Sequence, residues 1–294
     1  MGLTKPIGTA TTLVAKAFDP AYDLRMTDFE DFDSLARRVD DGALVALAPD
    51  YSWVPMALVR ALIRQSKKNL HLLTVPIGGM AADMLIGAGA VKTLEAAAVS
   101  LGEAGAAPRF IDAVEAGTIT MRDSTCPAIH TALQASEKGV PFMPLGGLIG
   151  SDLVEHRADW KVVDDPLGAG GGPVVLLPAI KPDVSLFHSP RADVFGNVWI
   201  GRRRELMTMA HASTTTLVTV EEIEDRDFLA DEATAAGTLS GLYVTAIAKA
   251  EKGAWPQGVT NCYERDMDHI RAYAAQAKTP EGFAAYLEDN VVAE

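Results

Sequence analysis

The sequence predicts an α/β fold, an open and mostly parallel sheet with helices on both faces. Apolar runs of strand length alternate with helix-competent segments along the chain. The stretch Leu70–Leu94 shows this order most clearly: an apolar run, a Gly78-Gly79 break, a helical segment from Met80 to Ile86, and a second apolar run from Val91. Glycines also end the predicted helices, as expected of short αβ connections.

The other elements follow in order from the same signals. The 3–4 spacing of Phe32, Leu35 and Val39 predicts an amphipathic helix, with its N-terminal caps in the segment Thr27–Glu30. Residues 151–173 are predicted to be irregular, and Glu221–Asp231 an acidic surface stretch. The remaining predicted strands are Ala43–Ala48, Val91–Val99, Thr118–Met121, Val174–Leu177, Val184–His188 and Thr214–Val220. Pro141–Pro144 and Asn197–Ile200 are predicted to be extended, and Tyr243–Ala248 is an apolar run. The remaining predicted helices are Val54–Lys68, Arg109–Ala116, a helix that begins after Thr125 and ends at Gly139, Glu205–His211, Tyr263–Gln276 and Pro280–Val291.

Composition limits the kind of protein. Nothing in the 294 residues requires two domains, so we expect one domain with an N-terminal arm at 1–40 and C-terminal helices at 262–294. The net charge of −13, with one short basic run at Arg202–Arg204, argues against a nucleic-acid partner. No apolar run reaches the roughly 18 residues of a membrane span, and no signal peptide is evident. We therefore expect a cytoplasmic protein with no membrane partner, in which Cys126 and Cys262 are reduced.

Glycine turns and hydroxyl side chains mark the candidate binding positions. Gly78-Gly79 follows a predicted strand, and ligands of open α/β sheets bind at the carboxyl ends of strands. The alternative is that these glycines only form a sharp turn. Ser124 and Thr125 precede a helix, where backbone N–H groups can bind an anion, although their side chains can equally serve as helix caps. Gly146-Gly147 lies in a second glycine loop.

Titratable residues identify no reaction by themselves. The six histidines show no metal-ligand spacing, so we expect no metal site. His188 follows a strand and could line a pocket, but a histidine hydrogen-bonded at the sheet edge is the more common case. Cys126 at a helix start has no histidine beside it in the sequence and is interpreted as structural. The glycine-rich segment 168–173 lacks the strand–helix setting of a dinucleotide motif.

Several short motifs are recognisable in the chain, and the most specific is the run Asp83–Val91. The others are Asp41–Leu47, Pro141–Pro144 with Gly146 and Gly150, Ala192–Asn197, Val218–Ile223, Gly253–Pro256 and Thr279–Tyr286. These motifs resemble the A (alpha) subunit of class I CoA-transferases, in particular the glutaconate CoA-transferase-like branch, whose Asp-Leu-Leu-Ile-Gly-Ala-Gly run is similar to Asp83–Val91. The resemblance extends over the chain from Asp41 onward.

One loop departs from that family. Its signature continues with Gly-Gly-Phe and then a glycine before a proline, whereas this chain reads Ala48-Pro49-Asp50-Tyr51-Ser52-Trp53-Val54-Pro55. Both glycines and the phenylalanine are missing, and the spacing to the proline is one residue shorter. Because this loop lines the CoA or acyl site in the family, the resemblance implies that Ser52 and Trp53 contact substrate.

The resemblance implies an A subunit that works with a B subunit on a CoA thioester. The expected reaction moves CoA between an acyl-CoA, dicarboxylic ones included, and a free carboxylic acid. The covalent glutamate of the family lies on the B subunit, so no catalytic residue is expected here, and Glu103 and Glu115 would be the first to check. Alternatives are a ring-opening hydrolase or a decarboxylase on the same scaffold, and a non-catalytic subunit that only completes a partner's pocket.

Overall fold

A computed structural model describes residues 27–168 and 171–292. Most of the predicted N-terminal arm and part of the 168–173 glycine loop fall outside these residues. The strands are β1 (Asp28–Glu30), β2 (Leu44–Leu47), β3 (Leu70–Thr74), β4 (Ile77–Gly78), β5 (Val91–Ala96), β6 (Ala98–Val99), β7 (Thr120–Asp123), β8 (Phe142–Leu145), β9 (Lys161–Val163), β10 (Val174–Pro178), β11 (Val184–Asp193), β12 (Val198–Trp199), β13 (Thr215–Glu224), β14 (Thr238–Leu239) and β15 (Ala246–Lys249). The α-helices are α1 (Phe32–Arg37), α2 (Met56–Arg64), α3 (Met80–Gly87), α4 (Pro108–Glu115), α5 (Cys126–Glu137), α6 (Leu153–His156), α7 (Arg204–Ala212), α8 (Glu232–Ala235), α9 (Met267–Gln276) and α10 (Pro280–Leu287).

The main sheet confirms the predicted open and mostly parallel architecture. Its strand order is β1-β15-β13-β11-β2-β3-β5-β7, and every neighbouring pair along this path is parallel. Two short strands, β12 and β14, extend it in antiparallel pairing. Because β2 lies between β11 and β3, the loops that follow these three strands emerge together at one edge. We call this edge the carboxyl edge.

Helices cover both faces of the sheet, and each face has its own apolar core. Side chains alternate along β2, so that Val45 belongs to one core cluster and Ala46 to the other. The first cluster also takes residues from α1, α2, α3, α9 and α10, and the second from α5 and α7. The predicted apolar face of α5 is confirmed, since Ile129, Ala132 and Leu133 are buried.

The C-terminal helices pack on this chain itself. The Tyr273 hydroxyl on α9 donates to Asp83 Oδ2 at 2.6 Å, and the Phe110 backbone N–H donates to Asp83 Oδ1 at 2.8 Å. On α10, Phe283 lies so close to Gly87 that a Cβ atom there would be 2.7 Å from its ring. The glycine that ends α3 therefore leaves room for an aromatic ring from the C-terminal region.

A small antiparallel sheet of β8, β10 and β9 stands apart from the main sheet. A buried ion pair anchors it, because Arg157 Nη2 lies 2.9 Å from Glu95 Oε1 on β5 and the guanidinium stacks over Trp160. Its strand β9 and the short helix α6 correct the prediction that residues 151–173 are irregular.

One other segment prediction was wrong. Asp28–Glu30 is a strand paired with β15 rather than a helix cap, and the cap of α1 is Asp31, whose Oδ1 accepts from Ser34 N at 2.7 Å. The predicted acidic surface stretch is exposed or half-buried except at Phe228, and its first four residues are the end of β13. None of the described helices is long and apolar enough to cross a bilayer.

Candidate active site

Asp50 lies at the centre of the carboxyl edge, in the turn that follows β2. Its Oδ2 accepts the backbone N–H of Met80 at 2.9 Å and the side-chain Nε2–H of Gln257 at 2.7 Å. The carboxylate fills the space above Gly79, where any Cβ atom would overlap it. Gly79 is therefore needed so that a carboxylate from another strand end can reach the N-terminus of α3.

The Asp50 carboxylate lies in buried surroundings, which are unfavourable for an ionised group. Burial raises its pKa to about 6, against the opposing effects of the Met80 N–H, Arg265 and the Ala81 N–H. Its buried Oδ1 makes no hydrogen bond, and neither does the buried Oε1 of Gln257, a residue only 1% exposed. Buried acceptors without donors are rare in folded chains, so this pair has unused capacity to bind a donor.

Trp53, in the same loop, holds a strained conformation. Its φ of 61° and ψ of 61° lie in the left-handed region, which a bulky residue rarely adopts, and its carbonyl accepts from His188 N at 2.7 Å. The indole is 1% exposed, and its Nε1–H has no partner. The Arg203 guanidinium stacks 3.3 Å from the ring centroid and has a buried, unpartnered Nε–H. Burial lowers the pKa of Arg203 to about 10.

A buried network holds the loop that carries Gln257. Glu221 Oε1 lies 2.8 Å from His188 Nε2 and accepts the Tyr263 hydroxyl at 2.7 Å and the Gly253 N–H at 3.0 Å. A Cβ atom at Gly253 would lie 2.6 Å from the imidazole of His188. His188 is fully buried in the central strand β11, not at a sheet edge, and Glu221 belongs to this network rather than to a surface stretch.

The structure brings four of the predicted site residues together. Gly79 lies against the Asp50 carboxylate, and Gly78, the last residue of β4, directly precedes it. Ser52 and Trp53 complete the same turn as Asp50. The Ser52 hydroxyl donates to Glu205 at the start of α7, which ties the loop to the neighbouring helix.

The other predicted residues lie elsewhere. Thr125 caps α5, since its Oγ1 accepts Ala128 N at 3.2 Å. Ser124 is buried and lines a separate cavity of about 200 Å³ beside Glu95 and Arg157. Gly146 and Gly147 follow a strand of the small sheet and face open space.

Sequence reasoning missed Asp50, Gln257 and Arg203. Asp50 was one aspartate among many, and Gln257 lies 207 residues away from it. The one available signal for Asp50 was its place in the loop that departs from the family signature.

Comparison with known proteins identifies the family. The family model for coenzyme A transferase matches residues 29–250, well over half of the chain. The chain belongs to the coenzyme A transferase family. It is 30% identical to the A component of 3-oxoadipate CoA-transferase of Pseudomonas knackmussii over 88% of this chain and 91% of that protein. It is 29% identical to the A component of glutaconate CoA-transferase of Acidaminococcus fermentans over 87% and 85% of the two chains.

Solved structures agree with this assignment. Glutaconate CoA-transferase of A. fermentans superposes with a TM-score of 0.83 at 26% identity, covering 91% of this chain and 90% of that chain. The decarboxylase AibA/AibB superposes with a TM-score of 0.79 at 27% identity, covering 90% and 99%. The resemblance found in the motifs is confirmed, and this CoA-transferase subunit is of the A type.

Proposed function

We propose that this A subunit forms the acyl wall of a heteromeric CoA-transferase, with the pocket at the carboxyl edge around Asp50, Trp53 and Gly79. The observation that carries the proposal is the group of unpartnered buried polar atoms there. Asp50 Oδ1 and Gln257 Oε1 are acceptors, and Trp53 Nε1 and Arg203 Nε are donors. All four belong to residues whose hydrogen bonds and ring contacts link them to this one edge.

In this proposal a B subunit supplies the nucleophile. A carboxylate nucleophile needs a water-poor pocket and donors for the oxyanion that develops on the attacked carbonyl. The Trp53 and Arg203 N–H groups can serve as such donors. Glu103 and Glu115 are exposed on a turn and at a helix end, so neither has the surroundings of a nucleophile.

Mass analysis tests this division of labour. The chain alone, and the chain with its B subunit, are incubated with an acyl-CoA and treated with borohydride or hydroxylamine. We expect a modified glutamate only in the two-subunit sample and on the B subunit, with CoA transfer in that sample once a free carboxylic acid is added. A modified glutamate in this chain would contradict the proposal.

Hydrolysis or decarboxylation of a CoA thioester is the second candidate, favoured by the superposition on the decarboxylase AibA/AibB. The two reactions separate by their need for a free acid. Transfer requires an acceptor carboxylic acid, whereas hydrolysis and decarboxylation proceed without one. A non-catalytic role predicts that the partner turns over substrate without this chain. The B subunit, the exclusion of nucleic acid and the cytoplasmic location stay predictions.

Ser124, Gly146 and Gly147 remain proposed contacts of a ligand or partner, outside the pocket around Asp50. If Ser124→Ala leaves turnover intact in the complex, Ser124 has no role in binding substrate.

A further inference from the structure

The Asp50 carboxylate occupies a position that otherwise suits a bound anion. It accepts from Met80, at the N-terminus of the eight-residue helix α3, and it lies over the bare backbone of Gly79. Helix N-termini with bare backbone beside them bind carboxylates and phosphates well. In this chain the anion is one of its own side chains, so a second carboxylate on a substrate would meet a like charge.

The same pair of side chains leaves two hydrogen-bond acceptors unused. Gln257 uses its Nε2–H on Asp50 Oδ2, which leaves its Oε1 without a donor, and Asp50 Oδ1 is also without one. Both atoms are buried, and the Gln257 side chain is held by a loop fixed to Glu221. Each of these buried acceptors can pair with a hydroxyl or another N–H or O–H donor.

We infer that Asp50 and Gln257 select an acyl-CoA whose acyl chain ends in a hydrogen-bond donor such as a hydroxyl and reject one that ends in a carboxylate. This inference rests on the proposed position of the acyl pocket. It assigns a specificity role to the loop that departs from the family signature. A hydroxyl donates one hydrogen bond and so satisfies one of the two acceptors, while a carboxylate donates none, leaves both unpaired and adds repulsion.

Three thioesters with the same five-carbon chain test it: 5-hydroxypentanoyl-CoA, pentanoyl-CoA and glutaryl-CoA. Their dissociation constants are measured by titration calorimetry on the two-subunit complex, and their turnover is measured with acetate as acceptor. We expect the hydroxyl compound to bind most tightly and the carboxylate compound most weakly, with about a tenfold gap, equivalent to 1.4 kcal/mol.

Asp50→Asn should reverse the order of the hydroxyl and carboxylate compounds, because its amide can present N–H groups where the wild type presents an acceptor. Gln257→Leu, the second variant, should reduce the hydroxyl advantage over pentanoyl-CoA without removing the repulsion of glutaryl-CoA. Asp268→Asn, at a side chain 97% exposed, is the matched control and should change nothing. Circular dichroism confirms that each variant is folded.

The outcomes separate the inference from the proposed function. Equal affinities for the three thioesters, unchanged in Asp50→Asn, overturn the selectivity while turnover still supports CoA transfer. Tightest binding of glutaryl-CoA by the wild type also overturns it. Absence of binding and turnover with all three overturns both.

Discussion

Gly79→Ala tests the placement of Asp50 most directly. A methyl group at position 79 overlaps the Asp50 carboxylate, and the φ of −129° is open to any residue, so the substitution acts by contact and not by backbone strain. Displacing the carboxylate loses charge-assisted hydrogen bonds worth about 1.5–3 kcal/mol each, or forces overpacking that costs about 1–3 kcal/mol. We expect Gly79→Ala to lower the free energy of unfolding by about 3 kcal/mol.

For 294 residues the entropy of unfolding is about 0.6 kcal/mol/K, so this loss lowers Tm by about 5 °C. The assay is a double-mutant cycle of Gly79→Ala and Asp50→Ala, in which urea denaturation measures the free energy of unfolding of each variant. In the Asp50→Ala background the added methyl should cost less than about 1 kcal/mol, which gives a coupling energy near 2 kcal/mol. Gly147→Ala, where a Cβ atom meets nothing within 4 Å, is the control. Additivity within about 0.5 kcal/mol would refute the contact between Asp50 and Gly79.

Three further outcomes follow from other buried groups. Burial raises the pKa of Asp83 to about 6 from 3.8, so between these pH values the folded chain binds more protons than the unfolded chain. The contribution of this group to the free energy of unfolding therefore falls, by up to about 3 kcal/mol, as pH rises through about 6. In urea titrations at pH 4–8, Asp83→Asn should remove this pH-dependent decrease. Tyr263→Phe removes a donor to Glu221 and should cost about 1–3 kcal/mol, with faster proteolysis of residues 250–263 than in the wild type; equal cleavage rates would contradict this. Arg157→Ala removes the closest cation of the buried Glu95 but leaves Arg122 Nε 3.1 Å from its Oε2, so it should cost about 1.5–3 kcal/mol by denaturation, and Arg157→Lys should cost less.

The sequence predicted the architecture well because helices and strands are indicated by local residue patterns. Alternating apolar runs and glycine stops placed β2, β3, β5 and β7 and the helices between them. The errors were local as well. Asp28–Glu30 carries good capping residues, but pairing with β15 satisfies its backbone instead. Glu221 was not singled out within the acidic run Glu221–Asp231, because charge density along the chain does not distinguish a solvated carboxylate from one that His188 and Tyr263 contact.

The site was predictable only in part. Gly78-Gly79 and Ser52-Trp53 could be proposed because turns after strands and family motifs are visible in the sequence. The contact between Asp50 and Gln257 could not be predicted, because no sequence pattern links them. Asp50 follows β2 and Gln257 follows β15, and only the strand order of the folded sheet brings the two loops together. The sequence likewise does not indicate which side chain occupies the space beside Gly79, and the structure shows that it is Asp50.

The contact between Asp50 and Gln257 also orders events during synthesis. A ribosome that adds about 5–20 residues per second needs about 10–40 seconds to make the 207 residues between them. For most of that interval the nascent chain has β2, β3 and α3 but lacks Gln257, and Tyr273, 190 residues after Asp83, is made later still. The carboxyl edge is therefore among the last parts of the molecule to be completed. In a chain that stops short of Gln257 and α9, Asp50 and Asp83 would each lack one of their hydrogen-bond donors, and such a chain would be a substrate for chaperones and proteases.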